Sequence, residues 1–120
     1  MKRRASPEQT IQRAVVAHLK ARGAPGLVWT HVPLGGYRKP VEAAILKGLG
    51  TRAGVSDLLL WHRGRAFALE LKAEGGRPSE AQRTFVSDMN SAGAFATIAS
   101  GIDEAIRTLE CWGLLRGVSS

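Results

Sequence analysis

An aspartate at position 57 and the run Glu70-Leu71-Lys72 are the residues of this 120-residue chain best suited to chemistry. Asp57 leads the apolar run Leu58-Leu59-Leu60, and Glu70 and Lys72 close a run that begins Phe67-Ala68-Leu69. Both runs read as strands, and side chains two apart on a strand share a face. Glu70 and Lys72 therefore project together, with Leu69 and Leu71 on the other face. A hairpin around His62-Arg63-Gly64-Arg65 would bring Asp57 to the same edge. Two carboxylates and an amine gathered in this way suit a divalent cation and a phosphate. A hard cation such as Mg²⁺ or Mn²⁺ takes carboxylate and carbonyl oxygens, and Mg²⁺ keeps several of its waters. It polarises a phosphodiester and helps generate the attacking water. Lys72 can orient or deprotonate that water, or stabilise developing charge, and the sequence does not separate these roles. The plainer reading makes the three residues an exposed, salt-bridged strand face.

The elements that must hold these residues follow from capping and periodicity. Ser6-Pro7-Glu8-Gln9 opens a helix, with Ser6 as N-cap, proline at the first position and Gln9 completing a capping box. Ile11, Ala14, Val15, His18 and Leu19 recur at helical spacing until Gly23 to Gly26 stops the element. Residues 27–32 form a β-type run ended by Pro33, and residues 34–52 read as a loop carrying a short helix around Val41 to Leu46. Strands follow near 57–61 and 66–72. Ser79 and Gln82 make a second capping box ahead of the stripe Phe85, Val86 and Met89. A strand over 94–99 and a helix carrying Ile102, Ala105, Ile106 and Leu109 complete the chain. This order predicts an α/β fold with a mixed sheet covered on both faces.

Composition narrows the partners. The formal charge is +7 and the pI about 10.5, which admits a polyanionic partner without requiring one. No apolar run approaches the roughly 18 residues of a membrane span. The basic start Met1-Lys2-Arg3-Arg4 is not followed by an apolar stretch, so a secretory signal is not expected. The single cysteine, Cys111, excludes an internal disulfide and a zinc site built on cysteine pairs, and fits a reducing, cytoplasmic setting. A chain of this length is expected to be one domain spanning residues 1–120, with its core over about 6–110. No phosphate-cradling Walker or dinucleotide loop occurs, so no nucleotide cofactor is expected.

Asp57 followed by Glu70-Leu71-Lys72 resembles the core of the PD-(D/E)xK nucleases, and the surroundings resemble their VRR-NUC branch. Those surroundings are Glu8 in a first helix, Lys47-Gly48 and Gly54-Val55-Ser56 ahead of Asp57, and Ser79-Glu80-Ala81-Gln82 after Lys72. The likeness runs from about Glu8 to Ile98. It departs at Ser56, where the family usually has proline; this touches strand entry more than chemistry. The resemblance implies a restriction-endonuclease-like α/β sheet flanked by helices. It also implies Asp57, Glu70 and the Leu71 carbonyl as ligands of Mg²⁺ or Mn²⁺; Glu8, heading the stripe of its helix, is a candidate to act through a metal-bound water.

Glu8 and Gln82 each head the apolar stripe of a helix, where they can reach into the site. Each also has a local explanation, Glu8 at a positive helix start and Gln82 in a capping box. His31 reads as a partly buried structural histidine, with a phosphate or metal contact as the alternative, and His18 as structural. His62, Arg63 and Arg65 read as a solvated hairpin tip. Arg38, Lys39, Lys47 and Arg52, among several glycines, suit contact with a DNA backbone, and Tyr37 can stack on a base or sugar. Gly75-Gly76-Arg77 can add a further contact. Trp112, Leu114 and Leu115 are candidates for an apolar dimer surface or for the core. The function expected is metal-dependent endonucleolytic cleavage of DNA; the resemblance further implies branched, Holliday-junction-type DNA as the first substrate, cut by a homodimer, in a bacterial or phage-infected cell. Flap-cutting, nicking or restriction activity, or DNA binding without catalysis, are the alternatives.

Overall fold

The computed structural model describes residues 6–34 and 38–117. Helix α1 (Pro7–Arg22) starts at the Ser6 and Gln9 capping box, in which each side chain accepts the other's backbone N–H. Its buried stripe is Ile11, Val15 and Leu19, and it ends at Gly23, where a Cβ would stand 2.6 Å from the Leu19 carbonyl oxygen. Strand β1 (Val28–His31) leads through the loop to α2 (Pro40–Gly48). Strands β2 (Leu58–His62) and β3 (Arg65–Lys72) form a hairpin, followed by α3 (Glu80–Ser91), β4 (Phe95–Ser100) and α4 (Ile102–Cys111). The element order is the one expected from the sequence.

The four strands lie in the order β1-β2-β3-β4; the first three are antiparallel and β4 runs parallel to β3. The hairpin closes with His62 opposite Arg65, leaving only Arg63 and Gly64 in the turn. Both have positive φ, 50° and 77°, the geometry of a type I′ turn whose twist matches the strands. This fixes the register that pairs Leu58 with Leu69 and so brings Asp57 toward Glu70.

Each face of the sheet packs on helices. Leu58, Leu60, Phe67, Leu69 and Leu71 join the buried stripes of α1 and α4 in the larger core. Leu114 and Leu115 lie in that core with Trp112 packed against it, so this segment supplies core rather than an exposed apolar surface. The opposite face carries Ala68 and Ala96 against Phe85, with Leu59, Val86 and Met89 around them. Alternation along β3 thus sends Glu70 and Lys72 to the α3 side. Among the described residues no helix is long and apolar enough to cross a membrane.

Candidate active site

The site forms where β2 begins and β3 ends. Asp57 sits just before β2, where its side chain takes the place of a ladder partner: Oδ2 accepts the Leu71 N–H at 2.8 Å. The Asp57 N–H donates to Glu70 Oε1 at 3.2 Å, and the Asp57 carbonyl accepts the Val32 N–H at 2.8 Å. The strand entry is therefore in register with Ser56 in the place of proline. Ser56 itself is fully buried, and its hydroxyl has no partner among the described residues.

Glu70 is 3% exposed. Its carboxyl is pushed up from the usual 4.5 to about 8, first by burial and then by the neighbouring Asp57 charge, while Lys72 pulls the other way. A buried carboxyl beside a second carboxylate suits a divalent cation, which stabilises negative charge there. In a strand the N–H and C=O of one residue point to the same side, so the Leu71 carbonyl opens toward Asp57 together with its N–H. Asp57, Glu70 and this carbonyl are all hard oxygens, the donor set of a partly hydrated Mg²⁺ or Mn²⁺. Among the described residues no group of three or more His, Cys, Asp and Glu gathers into a closed metal cage. Asp57 and Glu70 could hold a cation only in an open, partly hydrated site.

Around this pair stand Lys72, Glu8 and Gln82. Lys72 Nζ is 3.7 Å from Glu70 Oε2 and 3.7 Å from Glu8 Oε1, so α1 and β3 share one ammonium. The Lys72 side chain is largely buried, whereas that of Glu8 is half exposed. Gln82 combines the two accounts that its sequence position allowed. Its Oε1 accepts the Ser79 N–H in the capping box at 2.8 Å, which turns Nε2 toward Glu70 Oε2 at 3.0 Å. Gly54 makes this possible. It has φ +82°, and a Cβ there would fall 2.2 Å from the Ala81 carbonyl oxygen, so only glycine lets the loop ahead of Asp57 lie against the first turn of α3.

The expected DNA-contacting residues are not equivalent. Arg52 donates to Asp88 at 2.8 Å and lies 5.2 Å from the centre of the Phe85 ring, so it is engaged in holding its loop to α3. Arg38 donates to the Pro33 carbonyl. Lys39 and Lys47 are exposed and form no ion pair among the described residues. A cleft of about 680 Å³ runs between α2 and the 51–55 loop, with Arg38, Lys47 and Arg52 at its walls, and reaches Gln82. Tyr37, with Gly35 and Gly36, lies outside the described residues. Arg77 is exposed beside Gly75 and Gly76.

His31 differs from expectation: it is exposed, and its Nδ1 lies 2.8 Å from the Asp57 carbonyl oxygen. His18 is half-buried against Arg22, and His62 contacts the Pro25 carbonyl. Sequence reading gave no part to Gln12. One turn after Glu8, it buries both ends of its amide with no partner among the described residues, a cost unless solvent or substrate meets them. Its spacing from Glu8 was visible; its burial was not.

No protein-family model matches the sequence, nor does any curated protein. Solved structures do resemble it. A "VRR_NUC domain protein" aligns with a TM-score of 0.73 at 23% identity, covering 92% of this chain and 90% of its own. A second, described as a "VRR_NUC domain", aligns with a TM-score of 0.62 at 20% identity, covering 88% and 97%. The chain has the fold of these VRR_NUC domain proteins.

Proposed function

We propose that this protein is a metal-dependent DNA endonuclease. The observation that carries the reading is the convergence of Asp57, Glu70 and Lys72 at one end of the β2–β3 hairpin, with Glu8 and Gln82 closing around them. The net charge of +7 and the basic cleft leading to Gln82 suit a phosphodiester backbone as substrate.

Asp57, Glu70 and the Leu71 carbonyl would hold Mg²⁺ or Mn²⁺, which when bound polarises the scissile phosphate and acidifies a water. Gln82 fixes the rotamer of Glu70 by holding Oε2, and the Asp57 N–H holds Oε1. Lys72 presents its ammonium between Glu70 and Glu8, where it can orient the attacking water or meet charge developing on the phosphate. Glu8 restrains that ammonium from the solvent side and is placed to hold a water of its own. Arg38 and Lys47 at the cleft wall, with the exposed Lys39 at the start of α2, attract and align the backbone.

Branched DNA of the four-way-junction type is the first substrate, cut by a homodimer whose two sites would make paired incisions. Shape recognition of such a substrate requires no base-reading motif. Labelled duplex, flap, fork and four-way junction incubated with Mg²⁺ or Mn²⁺ test both levels. Metal-dependent cleavage, fastest on the junction, is expected; no cleavage of any substrate with either metal would remove the nuclease reading.

A further inference from the structure

The last residue of β1 makes a contact that the mechanism above does not use. His31 Nδ1 lies 2.8 Å from the main-chain carbonyl oxygen of Asp57, which also accepts the Val32 N–H at 2.8 Å. A carbonyl oxygen only accepts, so the proton belongs on Nδ1. Both acceptor positions of that oxygen are then filled. Of the other groups of Asp57, the N–H donates to Glu70 Oε1 and Oδ2 accepts from the Leu71 N–H.

We infer that His31 is a positioning residue: its Nδ1–H fixes the Asp57 peptide plane and thereby aims the carboxylate at the cation. Val32 alone satisfies the carbonyl, so the second donor adds orientation rather than rescue of an unpaired group. His31 is exposed and spends its ring on a main-chain oxygen of a residue proposed to hold metal, a contact with no part in the core. Groups that orient metal-holding residues matter at about 10- to 100-fold in metal affinity or activity. The inference rests on the metal-nuclease reading.

Three substitutions separate the two ring nitrogens. The amide nitrogen of asparagine falls close to Nδ1, while that of glutamine reaches toward Nε2. Mn²⁺ affinity, DNA affinity and single-turnover cleavage are measured on wild type, His31→Ala, His31→Asn and His31→Gln, with circular dichroism to verify folding. His31→Ala should weaken Mn²⁺ binding or slow cleavage about 10-fold with DNA affinity unchanged. His31→Asn should recover most of that loss and His31→Gln should not. Wild-type values in His31→Ala, or rescue by glutamine but not asparagine, would overturn the inference while leaving the nuclease reading intact. A wild type that neither binds Mn²⁺ nor cuts DNA overturns both.

Discussion

Asp57 and helix α2 are joined by a short loop, yet the chain builds them on opposite plans. At Asp57 the main-chain N–H, the carbonyl and one carboxylate oxygen all have partners, supplied by β1 and β3. Its partner Glu70 has both oxygens held. Helix α2 buries none of its residues, leaves Val41 and Ile45 more than half exposed, and starts at Lys39 without a side-chain cap. The contrast matches two physical demands. Hydrolysis requires groups held to a fraction of an ångström, because misplacement is costly in rate. Attraction of a polyanion requires charge and reach, and tolerates slack. Substitutions at the two ends should therefore fail differently: rate without binding at one, binding without rate at the other.

The largest effect is expected at the carboxylates. Asp57→Ala or Glu70→Ala should abolish Mg²⁺-dependent cleavage while leaving the fold intact, and DNA affinity should hold or rise as negative charge is removed. Cleavage near wild type by either variant would break the contrast at its root. Lys72→Ala should slow single-turnover cleavage roughly 10²-fold with Mn²⁺ affinity nearly unchanged, since an ammonium is not a ligand. Lys72→Arg should not fully restore the rate, because a planar guanidinium neither fits the same point nor yields a proton. Full activity in Lys72→Ala would reduce the residue to a surface charge.

Gly54→Ala tests how the fixed end is assembled. The clash with the Ala81 backbone and the positive φ should lower stability by about 3 kcal/mol, read from urea midpoints. Wild-type stability would mean the loop and α3 can part freely. Proton linkage gives a smaller, graded effect. Glu70 titrates near 8 in the folded chain against 4.5 ordinarily, so between these values the folded state keeps a proton that the unfolded state releases. Stability of the metal-free protein should accordingly fall as pH rises through this window, and Glu70→Gln should remove the slope. Cation uptake expels the same proton, so Mn²⁺ affinity should rise with pH up to about 8. Melting and Mn²⁺ titrations across the window check both signs; a flat difference between wild type and Glu70→Gln would contradict them.

The smallest change belongs to α2. Lys39→Gln with Lys47→Gln should leave the saturated cleavage rate alone and lower the salt slope of binding by roughly one unit per lost phosphate contact. An unchanged slope would make these lysines ordinary surface charge.

Much of the scaffold was legible because its signals are local. Capping boxes at Ser6 and Ser79 marked the starts of α1 and α3, and a hairpin around His62-Arg63-Gly64-Arg65 was enough to carry Asp57 toward Glu70, although its exact two-residue turn is seen only in the fold. The contacts that depend on approach between distant segments were not legible. Nothing in the spacing says that Gly54 rests on Ala81, that His31 meets the Asp57 carbonyl, or that Arg52 is engaged by Asp88 and Phe85. Trp112, Leu114 and Leu115 show the same limit from the other side. An apolar run near a terminus reads alike for core and surface until the fold folds it inward.

The divided amide of Gln82 has a dynamic consequence. One end closes the first turn of α3 and the other holds Oε2 of Glu70, so fraying of that turn should loosen one of the two holds on the carboxylate. Helix ends are ordinarily the quickest parts of a fold to open. Here that quick opening is tied to a buried acid, and amide exchange at Gln82 and Arg83 becomes a clock for how long that hold lasts.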